Sequence, residues 1–300
     1  MATIAKERAA VAAPPRRRRP EISWSAWLWI APAVVLVLIF FIYPLISTII
    51  FSFQNADSTQ FVGLKNYQRV FTDPNMLEVL KNNLIWLVLG TVLTVGLGLI
   101  VAVLVDRVKI ERAVKSALFI PMAISFVAAG VIWSFVYAYN SQYGLLNAFV
   151  GLFNQPPQAW LINPPGNNIA LIVVYTWMWT GFCMVILSAA LKGIPDDIIE
   201  AAKIDGASRW TMFWRITIPM IAPTLGVVTI TMVINILKIF DVVYVMTGGN
   251  YHTDVIGQEF YNQLFTYGNY GVAGALAVIL TLAILPVMYI NVRRIRAQGR

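Results

Sequence analysis

Six long apolar runs constrain this 300-residue chain more than any other feature of its sequence. A helix that crosses the hydrocarbon core of a membrane needs about 20 residues. The runs predict six membrane-spanning helices, at residues 27–51, 83–105, 117–139, 168–191, 219–244 and 271–290. Only helices and closed barrels satisfy every backbone group in lipid, and barrel strands alternate over about 10 residues. The predicted fold class is therefore an all-α membrane protein with six transmembrane helices.

The composition supports lipid as the solvent of this chain. Hydrophobic residues make up 59% of it and charged residues only 12%, whereas a soluble domain carries about 25% charged residues. The net charge of +8 comes from basic residues that lie between the apolar runs, so we expect membrane lipid rather than nucleic acid as a partner. The single Cys183 and the single His252 leave no Cys/His cluster for a metal site. Because Cys183 lies inside an apolar run, we interpret it as a small helix-packing residue.

The first 22 residues differ from the rest of the chain. They are rich in Ala, Pro and Arg and show no apolar periodicity, so they predict a disordered basic cytoplasmic tail followed by a six-span domain at residues 23–300. The apolar run that follows is too long for the 7–15-residue core of a signal peptide, and no small-residue cleavage site closes it. We therefore expect an uncleaved first helix.

Lysine and arginine residues are distributed unevenly among the segments that connect the runs. One set of segments contains Lys6, Arg8, Arg16, Arg17, Arg18, Arg19, Arg107, Lys109, Arg112, Lys115, Lys192, Lys203, Arg209, Arg215, Arg293, Arg294, Arg296 and Arg300. The opposite set contains only Lys65, Arg69 and Lys81, and the connections 140–167 and 247–270 contain neither residue type. The positive-inside rule therefore predicts that both termini are cytoplasmic.

The predicted outer connections carry aromatic residues at several positions. They are Trp160, Tyr251, Tyr261, Tyr267 and Tyr270. Anchoring at the membrane interface is one interpretation. A docking surface for an external protein is the other.

The cytoplasmic connection between the fourth and fifth runs, residues 193–218, is too polar to span a membrane. Pro195 suits a first helical position, and the two aspartates that follow it suit the positive end of a helix dipole. Gly206 can supply a left-handed helix stop, and Pro219 is expected to open the fifth span. A second short helix is indicated by aromatic residues at i, i+3 and i+4, namely Trp210, Phe213 and Trp214. The segment predicts a helix, a glycine turn and a helix at the inner membrane surface.

This connection resembles the EAA loop of binding-protein-dependent ABC permeases, whose pattern is Glu-Ala-Ala, three residues, Gly, nine residues, Ile, one residue, Leu-Pro. The matching positions are Glu200, Ala201, Ala202, Gly206, Ile216, Ile218 and Pro219, where Ile218 replaces Leu. Asp205 and Ala207 also match the Asp-Gly-Ala form of sugar permeases. The resemblance implies the ABC importer permease fold. It also implies that the residues that couple the chain to its ATPases are Glu200, Ala201, Ala202, Asp205, Gly206 and Ala207.

The resemblance extends over nearly the whole chain after the tail. Residues 61–67 with Asp73-Pro74, residues 119–121, Trp133 and residues 144–147 resemble sugar permeases of the maltose and glycerol-phosphate type. The Thr-Gly-Gly stretch at 247–249 resembles the segment that follows their fifth helix, although Asn250 replaces a third glycine. Residues 177–207 are most similar in appearance to α-glucoside permeases.

The resemblance implies that the chain is the permease subunit of an ATP-driven, binding-protein-dependent importer of a sugar in the bacterial inner membrane. The implied cargo is a neutral di- or oligosaccharide such as an α-glucoside. The implied partners are a second permease subunit, two ATPase subunits and an extracytoplasmic sugar-binding protein. The chain contains no Gly-x-x-x-x-Gly-Lys-[Ser/Thr] phosphate loop. We therefore expect no catalytic residues and no cofactor in this chain, with ATP and Mg²⁺ used by the partner ATPases.

The candidate substrate residues are aromatic or polar side chains of the fourth and fifth spans. They are Tyr175, Trp177, Trp179, Asn235, Lys238 and Asp241. Sugars are held by hydrogen bonds to their hydroxyls and by stacking on aromatic faces, but the aromatics could equally pack between helices or against lipid. A mid-membrane asparagine usually faces the bundle interior. Lys238 and Asp241 lie one helical turn apart and can pair, so we favour a structural ion pair, with a gate or a substrate contact as the alternative.

Three rival functions fit the sequence less well. A proton- or sodium-driven transporter needs ionisable groups near the midplane and usually an internal repeat, and neither is evident. A membrane-embedded enzyme needs clustered His, Asp or Glu at the membrane surface, and His252 stands alone in the sequence. An accessory protein without a pore leaves the EAA-like loop unexplained.

Overall fold

The computed structural model describes residues 24–106 and 108–298. The predicted basic tail, residues 1–22, lies outside the described residues. The chain divides into two compact units, Met1–Ser47 and Thr48–Arg300. What is described of the first unit is a single run of helix, uniformly apolar in sequence.

Helices account for all of the regular structure in the described part of the chain, apart from one isolated bridge between Gln54 and Phe61. The α-helices are α1 (Trp24–Val37), α2 (Tyr43–Ser52), α3 (Lys65–Thr72), α4 (Pro74–Ile85), α5 (Thr91–Val105), α6 (Glu111–Phe119), α7 (Phe126–Val136), α8 (Leu145–Gly151), α9 (Gly166–Lys192), α10 (Asp196–Ile204), α11 (Arg209–Met212), α12 (Ile218–Leu237), α13 (Asp241–Met246), α14 (Ile256–Tyr261) and α15 (Tyr270–Gln298). Four π-helical turns, Leu38–Ile42, Trp86–Gly90, Phe213–Thr217 and Asn262–Thr266, and one 3₁₀ turn, Ile120–Ala123, continue or join them.

Five helical stretches are long and apolar enough to cross a membrane, and a bent pair of helices makes up to six. The five are Leu28–Ser52, Pro74–Val105, Gly166–Lys192, Arg209–Leu237 and Tyr270–Arg293. They overlap five of the six predicted spans, and the bent pair lies at the remaining one. The predicted all-α fold is confirmed.

The third predicted span is not one straight helix. The stretches Glu111–Ala123 and Phe126–Val136 meet at an angle of 103°. Pro121 cannot donate a backbone hydrogen bond, which favours a break there. The side chain of Ser125 then accepts a hydrogen bond from the backbone N–H of Ala128 at 3.2 Å and caps the new helix. The prediction of a continuous span at 117–139 was wrong at this point because two local signals outweigh the apolar pattern.

The fifth predicted span begins and ends earlier than expected. Its helix runs without interruption from Arg209 to Leu237, so Pro219 does not open a new helix. The π turn Phe213–Thr217 precedes this proline, and the wider turn accommodates the missing N–H and the ring. Residues 238–240 then interrupt the helix before α13. The prediction of one span over 219–244 was therefore wrong at both ends.

The core of the second unit is built where α5 and α9 pack closely. Gly98 of α5 permits this approach, because a Cβ at this position would lie 2.5 Å from the Cβ of Cys183 on α9. Cys183 is fully buried, which confirms its interpretation as a small packing residue. Helix α12 packs against the same two helices through Met232 and Val228.

Candidate functional site

Five of the six candidate substrate residues line one cavity of about 330 Å³. They are Tyr175, Trp179, Asn235, Lys238 and Asp241, joined by Phe126 and Ile239. The side chains come from α7, α9, the end of α12, the interruption that follows it and the start of α13. The volume lies at the lower end of the range of about 300–1,000 Å³ that is usual for small-molecule pockets.

Two side chains of this cavity carry hydrogen-bonding groups without a partner. Tyr175 is only 1% exposed, and neither its Oη nor the Nε1 of Trp179 has a hydrogen-bond partner within the described chain. The Nε1 of Trp86, whose ring packs edge-on against Tyr175 at 5.9 Å, is also unpartnered. Burying an unsatisfied polar group costs about 1–3 kcal/mol. All three atoms are enclosed by protein in this state.

Irregular backbone borders the cavity. Residues 238–240 break the fifth span, and interrupted membrane helices are tolerated where they line a cavity. The π turn Trp86–Gly90 begins at Trp86, whose ring contacts the ring of Tyr175. Such turns are frequent at functional sites. Asn235 lines the cavity, and its side-chain amide nitrogen donates to the carbonyl of Thr231 at 2.9 Å.

The predicted ion pair between Lys238 and Asp241 is not formed. The ion pairs recorded among the described side chains involve Glu111 and Glu78, and neither cavity residue takes part. The pairing required a continuous helix, and the interruption at 238–240 removes the one-turn spacing. Both residues are exposed and line the cavity with one charge of each sign.

Trp177 lies away from the other candidate substrate residues. Its ring packs edge-on against Trp133 at 5.6 Å. Together they border a separate, mostly apolar cavity of about 390 Å³, whose wall also includes Leu93 and Pro121. The 100° step between successive helical residues explains the separation, because Trp177 and Trp179 lie on different faces of α9.

The predicted coupling loop folds as a helix, a glycine turn and a second helix. Helix α10 has Asp196 and Asp197 in its first turn, and Gly206 has a φ of +76°. The N–H of Gly206 donates to the carbonyl of Lys203, and the N–H of Ala207 donates to that of Ala202 at 3.0 Å. These two bonds form a Schellman helix stop, so the predicted left-handed glycine is confirmed. Pro195 caps the helix and does not enter it.

The six residues matched to the EAA pattern differ in exposure. Glu200, Ala201, Asp205 and Gly206 are exposed, Ala207 is half-buried, and Ala202 is buried against the rest of the chain. In the described part of the chain Glu200 makes no ion pair. The four exposed residues therefore form an outward-facing edge of the loop, whereas Ala202 and Ala207 lie on the side that packs against the rest of the chain. The aromatic side chains that follow it cluster as predicted, in Trp210, Phe213 and Trp214.

An ionic bridge that sequence reasoning missed fixes the start of this loop. The Oε1 of Glu111 contacts the Nζ of Lys115 at 2.6 Å and the Nζ of Lys192 at 2.5 Å. Lys115 also donates to Ser188. The bridge ties α6 to the end of α9, directly before the loop. The i, i+4 spacing of Glu111 and Lys115 signals their contact, whereas the sequence carries no signal for Lys192.

The connection after α13 is held to the ends of α4 and α9 by asparagine side chains. Asn82 donates to the carbonyls of His252 and Asp254, both at 2.9 Å. Asn168 donates to the same His252 carbonyl at 3.0 Å, and Asn167 donates to that of Tyr251 at 2.6 Å. The loop needs this support, because Tyr251 and His252 both have positive φ, a conformation that is costly for residues other than glycine. Sequence reasoning missed this network, which joins residues that are far apart in the chain.

Acidic groups and the single histidine meet on the same connection. The Nδ1 of His252 contacts Glu78 at 2.8 Å. The pKa of the Asp254 carboxyl is raised to about 8, mainly by burial and then by the charge and hydrogen bond of Glu259 and the charge of Glu78, while a backbone hydrogen bond from Val255 lowers it. The neutral form of Asp254 is therefore favoured over its usual range of pH. Among the described residues no group of three or more His, Cys, Asp or Glu could hold a metal ion.

Comparison with known proteins places the chain among transport subunits. Binding-protein-dependent transport system inner membrane components match it over residues 94–296. The osmoprotective compounds uptake permease protein GgtC of Synechocystis sp. is 54% identical over 91% of this chain and 99% of its own length. The alpha-glucoside transport system permease protein AglF of Rhizobium meliloti is 40% identical over 93% of this chain and 84% of its own.

A solved structure shares the fold. A chain in the crystal structure of a bacterial ABC transporter involved in the import of the acidic polysaccharide alginate aligns with a TM-score of 0.79 and 23% identity, over 91% of this chain and 96% of that one. At this identity the likeness concerns the fold alone. It agrees with the helical architecture described above.

Proposed function

The chain belongs to the family of binding-protein-dependent transport system inner membrane components, and we propose that it forms, with a second permease subunit, the translocation pore of an ATP-driven importer of a neutral sugar. The family and the relatives are permease subunits, so the chain is a transport protein of the inner membrane and not an enzyme. The observation that carries the proposed cargo is the cavity lined by Tyr175 and Trp179, whose Oη and Nε1 have no hydrogen-bond partner among the described residues.

A neutral, hydroxyl-rich cargo suits this cavity. Its charged side chains, Lys238 and Asp241, balance each other in sign. The hydroxyl of Tyr175, the indole N–H of Trp179 and the amide of Asn235 can bond to sugar hydroxyls, and the rings offer faces for stacking. The names of the relatives, an osmoprotective compounds permease and an α-glucoside permease, are both compatible with a small neutral glucoside. We therefore assign α-glucosides as the preferred class.

Coupling to the energy source is proposed to occur through the exposed edge of α10. Glu200, Ala201, Asp205 and Gly206 would meet one of two cytoplasmic ATPase subunits, which bind ATP and Mg²⁺. Ala202 and Ala207 would support the contact from the anchored side. The Schellman stop at Gly206 keeps the turn free of a side chain, so another backbone can approach it. A cytoplasmic coupling loop in a chain with six spans requires both termini to be cytoplasmic.

Delivery of the cargo is proposed to involve the connection 247–255. Its strained backbone is held in place by asparagines, and the ring of Tyr251 is 52% exposed. A rigid, exposed aromatic surface suits docking of an extracytoplasmic sugar-binding protein. The interpretation of the outer aromatics as interface anchors remains the alternative for Tyr267 and Tyr270.

Uptake by proteoliposomes that contain the whole complex tests the proposed cargo. With its binding protein outside and ATP inside, the wild-type complex should accumulate a labelled α-glucoside and not a sugar phosphate. Asn235→Ala should reduce uptake more than Lys238→Met does, because the cargo carries no charge. Trp177→Ala, outside the cavity, is the matched control for Trp179→Ala. If Lys238→Met alone abolished uptake while the complex still assembled, an anionic sugar would be the better cargo.

A further inference from the structure

A third cavity, of about 590 Å³, lies where the coupling loop meets the ends of the membrane helices. Its apolar wall comes from Val103 at the end of α5 and from Leu191 and Ile194 around the end of α9. Its polar wall comes from Lys203 on α10 and Arg209 at the start of α11. The cavity thus joins an apolar surface to two cations.

The two cations are available to a ligand. Both are exposed, and neither forms an ion pair with any described residue. Asp106 also lines the cavity and has an interaction of its own. The lining thus carries two positive charges and one negative charge. A guanidinium presents a planar fork that matches phosphate oxygens, and an ammonium adds a point charge. The lining therefore favours a phosphate group.

The surroundings of the cavity indicate contact with lipid. Trp210 and Trp214, on the helix that begins at Arg209, are 72% and 51% exposed. Exposed tryptophans of this kind are typical of the membrane–water interface. Leu104, beside Val103, is also exposed and offers apolar surface next to the cavity. Basic pockets between membrane helices on the cytoplasmic side bind anionic lipid headgroups.

We propose that this cavity binds the headgroup of an anionic phospholipid, with the phosphate between Lys203 and Arg209 and an acyl chain along Val103 and Leu191. The lipid then braces α10 against the ends of α5 and α9. This inference concerns a binding site separate from the sugar cavity. It uses the cytoplasmic orientation of the loop, where anionic lipid is most abundant, but not the identity of the cargo.

The experiment titrates the purified full complex in neutral detergent with fluorescent phosphatidylglycerol and, separately, fluorescent phosphatidylcholine. Wild type should bind the anionic lipid more tightly than the zwitterionic one. The double variant Lys203→Gln/Arg209→Gln should bind phosphatidylglycerol about 10- to 30-fold more weakly, since each cation near a membrane surface contributes about 1 kcal/mol. The matched control, Arg112→Gln/Arg215→Gln, removes two exposed charges from the same side of the membrane outside this cavity, and should leave the affinity within about twofold.

Other arms of the experiment separate the lipid from other occupants. Inorganic phosphate at millimolar concentration should not displace the lipid, because it lacks the acyl chain; full displacement would make this a free-anion site and overturn the proposal. Equal losses of affinity in both double variants would show a diffuse surface effect and also overturn it. The proposal would also be overturned if Lys203→Gln/Arg209→Gln still bound phosphatidylglycerol but no longer copurified with the ATPase, because the two cations would then form a protein-docking surface. Arg209→Lys, which retains the charge, should bind with intermediate affinity if the variant folds normally.

Discussion

Replacing Tyr175 by phenylalanine should change stability and cargo affinity in opposite directions. The tyrosine is 1% exposed and its Oη has no partner within the described chain. Removing an unsatisfied buried hydroxyl relieves a cost of about 1–3 kcal/mol, so the empty protein should unfold at the same temperature or a higher one. The hydrogen bond lost to the cargo is worth about 0.5–1.5 kcal/mol. The cargo concentration for half-maximal stimulation should therefore rise about 2- to 12-fold.

Tyr137 provides a matched control in the same hydrophobic cluster. Its Oη donates to the carbonyl of Ala170 at 3.1 Å. Tyr137→Phe should therefore lower the unfolding temperature, because a satisfied bond is lost, and leave the cargo affinity unchanged. The assays are thermal unfolding of the detergent-solubilised complex without sugar and sugar-stimulated ATP hydrolysis in proteoliposomes. A Tyr175→Phe protein that was less stable than wild type with unaltered affinity would show that this hydroxyl has a partner inside the protein and no role toward the cargo.

Three further predictions concern the coupling loop, the orientation and the outer connection. Gly206→Val should reduce ATPase copurification and sugar-stimulated hydrolysis while the spans still insert, because a Cβ in the left-handed region costs about 1–2 kcal/mol; Gly193→Ala, at a φ of −80°, is the control, and normal coupling in the Gly206 variant would exclude this loop as the coupling element. In a chain whose native cysteine is replaced, a cysteine at position 158 should react with a membrane-impermeant thiol reagent from outside and one at position 208 should not; the reverse pattern would overturn the orientation. The unfolding temperature should fall as the pH rises from about 4 through about 8, because the folded protein retains a proton on Asp254 that the unfolded chain, with an ordinary pKa of 3.8, has released; Asp254→Asn should flatten this profile, and an unchanged profile would show that Asp254 does not titrate in this range.

The local features of the fold were predictable from the sequence. The apolar runs predicted the membrane helices because burial in lipid depends on composition over about 20 residues. The Schellman stop at Gly206 was predictable because a helix end depends on a few neighbouring residues. The break at Pro121 was also signalled locally, by the proline and by the capping serine at position 125, but the apolar pattern concealed it.

The features that depend on distant parts of the chain were not predictable. The interruption at 238–240 contains neither Gly nor Pro, so no local helix breaker signals it. Asn82 and Asn168 both bond to the carbonyl of His252, at separations of 170 and 84 residues, for which a single sequence carries no signal. Trp177 was a candidate because an aromatic ring can stack on a sugar, but its ring packs against Trp133, outside the cavity of the other candidates. The sequence therefore did not reveal which of the candidate substrate residues lie together.

Photo-crosslinking of the cargo tests most directly the central claim that a neutral glucoside passes through the cavity of Tyr175, Trp179 and Asn235. A diazirine-bearing α-glucoside would be delivered by its binding protein to the reconstituted complex and irradiated, and the modified peptides would be mapped by mass spectrometry. We predict labelling at Phe126, on α9 around Tyr175 and Trp179, and at residues 235–241, with loss of the label when unmodified sugar competes. Labelling confined to the cavity of Trp133 and Trp177, or labelling that excess sugar does not reduce, would contradict the account.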